Sequence, residues 1–162
     1  DDAERRRGDF AFVDARLVQS RQQLMTAIVQ AIVGAMRRDP KRPDAEVGLK
    51  TPSIHSDLLW TLHSNNNIAE ALRRFGVSRT TRSLILVRVA PPLDAGELVQ
   101  HMTQLVDGTL QTRGLSLPSP ALAWSELGTA YKIQDTPAFQ HPDTSQVDAL
   151  ICSMVASKYV GA

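Results

Sequence analysis

The chain predicts a single α/β (α+β) domain, a small antiparallel sheet flanked by several helices. Three observations carry that prediction. Short apolar or alternating runs at Phe10–Val13, Leu58–Leu62 and Ser83–Val89 read as strands. Longer stretches with apolar residues at helical spacing separate and follow them. At 162 residues, 43% hydrophobic and 22% charged, the whole of 1–162 fits one globular unit.

In chain order, Asp1–Arg7 is charged and reads as a frayed helix end or a tail. FAFV at Phe10–Val13 is a short strand. Ser20–Met36 is the strongest helix, with Ser20 as N-cap and Gln23 three residues on. Leu24, Ile28, Ala31, Ile32 and Ala35 form its stripe, which Met25, Val29 and Val33 widen; a face that broad implies a heavily buried helix. Arg37–Ser53, with three prolines among charges, predicts a long inserted loop. Leu58–Leu62 predicts a buried strand. Asp94–Val106 predicts a helix capped by Asp94, with Leu98, Met102 and Leu105 or Val106 inward. Thr109–Pro120 is a loop, Ala121–Ala130 a helix and Gln134–Pro142 irregular. Thr144–Tyr159 closes the chain as a helix capped by Asp143 or Thr144. The expected order is β-α-β-α-β-α-α-α.

The most specific stretch is DLLWTLHSNNNIAEALRRFGVSRTTRSLILVRV, Asp57–Val89. Asn67 suits an N-cap, and Glu70 falls where its carboxylate reaches back toward the helix start. Ile68, Leu72 and Phe75 share one helical face. Arg73 and Arg74 suit the last turn, and Gly76 a left-handed stop. One cap needs one asparagine, so Asn65 and Asn66 read either as an Asx-turn or as fixed amides offered to a partner. The apolar members of the face read equally as sheet-facing core.

The composition excludes most chemistry. Net charge is +1, so no overall field attracts nucleic acid or anionic lipid. Arg73, Arg74, Arg79, Arg82 and Arg88 cluster in sequence; they read as a solvated rim or as a local phosphate patch for RNA. The four histidines show no i, i+3 or i+4 spacing, and Cys152 is alone, so no metal site, disulfide or cofactor is expected. No phosphate-cradling glycine loop or GxSxG elbow occurs. No catalytic residue is assigned. No run approaches the length of a membrane span, and no membrane partner is expected. A junction without reacting groups predicts a docking surface.

FAFVDA at Phe10–Ala15, the LMTAIVQAI helix, IHSDLLWTLHSNNNIAEALRRFGVS, TTRSLILVRV and YKI at Tyr131–Ile133 together resemble the small regulatory subunit family of the KEOPS (EKC) complex. This family includes the PRPK-binding protein of animals. The resemblance covers nearly the whole chain. It implies a non-enzymatic subunit that binds and stimulates the atypical kinase/ATPase of the complex. It also implies help in bringing tRNA, including its 3′ CCA end, to the formation of threonylcarbamoyladenosine next to the anticodon. Other KEOPS subunits would be indirect partners. Nucleus and cytoplasm are the expected locations, and telomere maintenance a linked process. The family places a further strand and helix before FAFVDA, so that strand is expected to be missing here.

Carried onto this sequence, the resemblance implies kinase contact at Asn66, Asn67, Ile68, Leu72 and Phe75, with Ile151, Val155 and Tyr159 from the last helix. It implies tRNA contact at Arg73, Arg74, Arg79 and Lys132. A stand-alone RNA-binding module is the alternative, and a small enzyme the third reading.

Overall fold

The computed structural model describes residues 10–37, 48–111 and 123–160. The expectations for Asp1–Arg7, for most of the Arg37–Ser53 loop and for most of Thr109–Pro120 lie outside those residues. The described residues form an α+β arrangement with two strands and seven α-helices.

Strand β1 (Ala11–Asp14) pairs antiparallel with β2 (Leu84–Val87), Ala11 opposite Val87 and Asp14 opposite Leu84. The Asp14 carboxylate accepts from the Arg16 amide at the start of a 3-10 turn, Ala15–Leu17, and from the Thr81 hydroxyl at 2.6 Å. One buried carboxylate thus fastens the end of β1 to the loop entering β2.

Helix α1 (Arg21–Met36) starts as its sequence predicts, with the Ser20 hydroxyl accepting from the Gln23 amide. Its burial differs from the expectation. Leu24, Ala27, Ala31 and Gly34 form the buried face, but Met25, Val29, Val33 and Met36 are exposed. Small residues let α1 approach its neighbours closely on one side, and those neighbours cover that side only.

Leu58–Leu62 is helix, not strand. Helix α2 (Ile54–Leu62) is capped by Ser53, whose hydroxyl accepts from the Ser56 amide. His55 and every residue from Asp57 to Leu62 are buried. A helix covered on all sides shows no apolar period, so its short hydrophobic run mimics a buried strand. The expected three-strand order is therefore corrected to two strands.

Helix α3 (Ile68–Phe75) follows, capped by Asn67. Gly76 does not take the left-handed conformation predicted for it; its φ is −75° and ψ 161°. Glycine is required there for space, because a Cβ would lie 2.3 Å from the Leu72 carbonyl oxygen. The Gly76 backbone also bridges Val13 of β1.

Helix α4 (Ala95–Leu105), capped by Asp94, buries none of its residues. Leu98 and Met102, expected inward, are half-buried. Helix α5 (Trp124–Tyr131) ends at Lys132, whose φ of 55° is left-handed. Within the segment expected to be irregular, Pro137–Gln140 forms one turn of helix, α6. Helix α7 (Thr144–Ala156) is capped by the Asp143 carboxylate and packs on α1.

The core runs from β1 through α1, α2, α5 and α7. At its centre the Tyr131 hydroxyl donates to the Leu62 carbonyl (2.5 Å) and accepts from the Gln23 amide (2.8 Å). Burial pushes the Tyr131 phenol far above its ordinary pKa, so it stays a neutral donor.

Candidate docking surface

The corner between α2 and α3 uses its asparagines unequally. The Asn65 side-chain oxygen accepts from the Asn67 amide at 2.8 Å, an Asx-turn. The Asn67 oxygen accepts from the Glu70 amide at 3.1 Å, which caps α3. Both residues are thereby spent on the turn itself. Asn66 is exposed and makes no hydrogen bond among the described residues, so its amide is the one left to offer.

Glu70 reaches back, but not to the cap residue. Its carboxylate accepts from the Asn65 side chain (3.3 Å) and from Arg74 Nε (2.9 Å), and Arg73 lies 3.8 Å away. The Arg74 bond is the first cause that holds the Glu70 carboxyl below its ordinary pKa, and the Asn65 bond adds to it. His63 closes α2 and is buried. Its Nδ1 accepts from the Asn65 amide at 3.3 Å. Burial lowers its pKa, and the positive charges of Lys158 and Arg74 act in the same direction.

Helix α3 divides the predicted contact residues. Ile68 is 37% exposed and Leu72 41%, one turn apart, while Phe75 is fully buried. Phe75 sits edge-on to His63 and Tyr131, with centroids 6.1 Å away in each case. On α7 and beyond it, Ile151, Val155 and Tyr159 are likewise buried. These four side chains have no surface to present and belong to the packed interior instead. Their spacing correctly marks an inward face, but that face is core.

The basic residues are also sorted. Arg73, Arg79 and Lys132 are exposed, whereas Arg74 is held by Glu70. The Ser64 hydroxyl donates to the Ala130 carbonyl at 2.7 Å, which brings the end of α5, and Lys132 two residues on, beside the corner.

Sequence reasoning missed Lys158. It lies just past α7, is only 7% exposed, and its ammonium donates to the His63 carbonyl at 2.6 Å and to the Asn65 carbonyl. The ammonium also sits 4.3 Å from the Trp60 ring centroid. No local pattern announces this, because its partners are more than ninety residues away.

Other chemistry finds little support among the described residues. They contain no group of three or more His, Cys, Asp or Glu side chains placed to hold a metal ion. Cys152 is buried, and burial is the main cause that raises its thiol pKa, consistent with an inert thiol. An open cleft of about 670 Å³ lies between β2 and α4, walled by Leu84, Leu86, Met102 and Val106. No helix of the described residues is long and apolar enough to cross a membrane.

Comparison with known proteins identifies a family for the chain. A family model described as kinase binding protein CGI-121 matches residues 3–159. The EKC/KEOPS complex subunit CGI121 of Gibberella zeae is 36% identical over 107 residues, covering 62% of this chain and 50% of the relative. The corresponding subunit of Neurospora crassa is 25% identical over 170 residues, covering 91% and 78%. That of Cryptococcus neoformans is 29% identical over 185 residues, covering 98% and 80%. The chain spans about half the length of the first curated relatives it matches. The match across residues 3–159 places the chain in the CGI-121 family of kinase-binding proteins.

Proposed function

We propose that this chain is a non-catalytic regulatory subunit of a KEOPS (EKC) complex. It binds the atypical kinase/ATPase of that complex through the corner between α2 and α3. In that role it stimulates the kinase and helps recruit tRNA by its 3′ CCA end for threonylcarbamoyladenosine formation. Its working locations are the nucleus and cytoplasm.

One observation carries the docking part. Ile68 and Leu72 lie exposed along one face of α3, two residues and more past the exposed amide of Asn66, while Phe75 of the same helix is buried in the core. An apolar centre with a polar rim is the usual anatomy of a specific protein interface. The family description and the names of the relatives supply the kinase and the complex as the partner class.

The test is Ile68→Glu. The side chain is already partly in water, so the fold is expected to survive, with an unchanged circular dichroism spectrum. Affinity for the kinase should fall at least about tenfold, as for an apolar anchor at an interface. Unchanged affinity would remove α3 from the interface.

A second reading is a stand-alone RNA-binding module. Exposed Arg73 and Lys132 beside the corner, with exposed Arg79 in the loop after α3, favour it. It requires salt-sensitive tRNA binding by the isolated chain, and no gel shift at low salt would end it.

A further inference from the structure

A buried lysine without a carboxylate is costly. Lys158 is 7% exposed, and among the described residues no acidic side chain pairs with it. Taking an ammonium out of water is unfavourable unless other groups replace the solvent. The replacements here all come from one place. His63 terminates α2, and its carbonyl accepts from Lys158 Nζ at 2.6 Å; the Asn65 carbonyl accepts a second bond. The Trp60 ring, in the last turn of α2, supplies a π face at 4.3 Å. A helix C-terminus leaves carbonyls unpaired and carries the negative end of the dipole, so a cation is favoured there.

The next residue fastens the same turn elsewhere. The Tyr159 hydroxyl donates to Asp57 Oδ2 at 2.9 Å, and its ring packs edge-on against Trp60 at 5.2 Å. Arg37 covers the other side of that ring and donates to the Tyr159 carbonyl. The turn after α7 is thus held from two sides, and Lys158 is the arm that reaches the asparagine corner.

We infer that Lys158 is a positioning residue for the docking surface: its ammonium fixes the carbonyls of His63 and Asn65, sets the pose of Asn66 and Ile68, and so couples the last turn of the chain to partner binding. The consequence for binding rests on the docking surface proposed above; the clamp itself does not. Charged or titratable groups around the ammonium are His63 at the end of α2, Glu70 and Arg74 on α3, and Asp57 and Arg37 around Tyr159. Burial pulls the Lys158 pKa down to about 8, so the clamp loses its charge within a testable range. A neutral amine keeps part of its hydrogen bonding but forfeits the attraction to Trp60 and to the helix end.

The test follows the carbonyl carbons of His63 and Asn65 by NMR in the full chain between pH 6.5 and 11. In the unaltered protein both should move with a midpoint near the Lys158 pKa of about 8. In Lys158→Met, which keeps the apolar stem, both should be displaced at pH 7 and should not titrate. Kinase affinity should fall about tenfold in Lys158→Met at pH 7, the loss of one to two charge-assisted bonds. In the unaltered protein it should weaken between pH 7 and 9, and that dependence should vanish in the variant. Carbonyl signals that stay fixed across the range in the unaltered protein would overturn the inference. Should Lys158→Met fail to fold, the pH series on the unaltered protein decides alone. Ile68→Glu separates the two readings. If it leaves kinase affinity unchanged, the docking surface is wrong, while the clamp stands or falls on the carbonyl signals.

Discussion

His63 is held inside the corner with one nitrogen satisfied and one not. Nδ1 accepts from the Asn65 amide, so the ring proton sits on Nε2, which has no hydrogen-bond partner among the described residues. Glu70 is 4.0 Å away, beyond hydrogen-bond reach. Protonating Nδ1 would break the Asn65 bond and place a second cation beside Lys158. The folded state therefore resists a proton that the unfolded chain takes up at a pH of about 6.5. The folded pKa is the lower one, so the stabilising contribution is complete above the unfolded value and is lost as pH falls below it. We expect urea midpoints to drop between pH 7 and pH 5.5, with a slope of at most about 1.4 kcal/mol per pH unit from this group. His63→Gln should flatten that drop. Glu70 is lowered from the carboxylate range and contributes only at more acidic pH, so it does not mimic the effect. Equal pH slopes in both proteins would show that His63 is not the titrating group.

At the scale of elements, close approach decides more than propensity. Gly34 on α1 is such a point. Alanine normally favours a helix over glycine by about 1 kcal/mol. A Cβ at Gly34, however, would fall 2.0 Å from the Tyr159 hydroxyl, which is anchored on Asp57. Gly34→Ala should therefore destabilise by about 1–3 kcal/mol, as overpacking does, and should lower the melting temperature. Met25→Ala, on the exposed face of the same helix, should leave the melting temperature nearly unchanged. The contrast explains what was legible in the sequence. Ser20, Asn67, Asp94 and Asp143 cap helices by bonds that span two or three residues, so local pattern finds them. The short apolar runs around AFVD and LILV likewise mark the two strands. Helix α2 was not legible, because complete burial removes the period that tells helix from strand. Spacing also identifies Phe75, Ile151 and Val155 as inward, but whether inward means core or partner depends on what else packs there. Lys158 had no local signal, since its meaning comes from carbonyls contributed by a distant turn.

Across the whole molecule, burial is uneven, and the docking corner belongs to the well-buried part. Helix α1 packs on both α2 and α7, α2 packs on β1, and the corner hangs from the end of α2. Helix α4 contributes no buried residue and stands across an open cleft from β2. The ladder adds a finer distinction. The Ala15 amide donates to the Ser83 carbonyl, and the register pairs Val13 with Ile85 and Ala11 with Val87. Alternation along an antiparallel pair then aims the amides of Ile85 and Val87 at β1, and those of Leu84 and Leu86 away from it. Regions with few buried contacts open at low free energy, whereas core elements open only with global unfolding. Amide hydrogen exchange on this chain should therefore be slowest at Ala27, Ala31, Leu58–Leu62 and Val147–Val155, and fast through Ala95–Leu105. Within β2 it should alternate, with Leu84 and Leu86 fast and Ile85 and Val87 slow. Strong protection of α4, or of Leu84 and Leu86, would mean that another segment closes the cleft in solution, and the docking corner would then share the molecule with a second covered face. Slow exchange at Trp60 and Leu62 with fast exchange at Leu98 and Met102 would instead show that the corner is borne by the rigid half, as a surface built to bind without rearrangement requires.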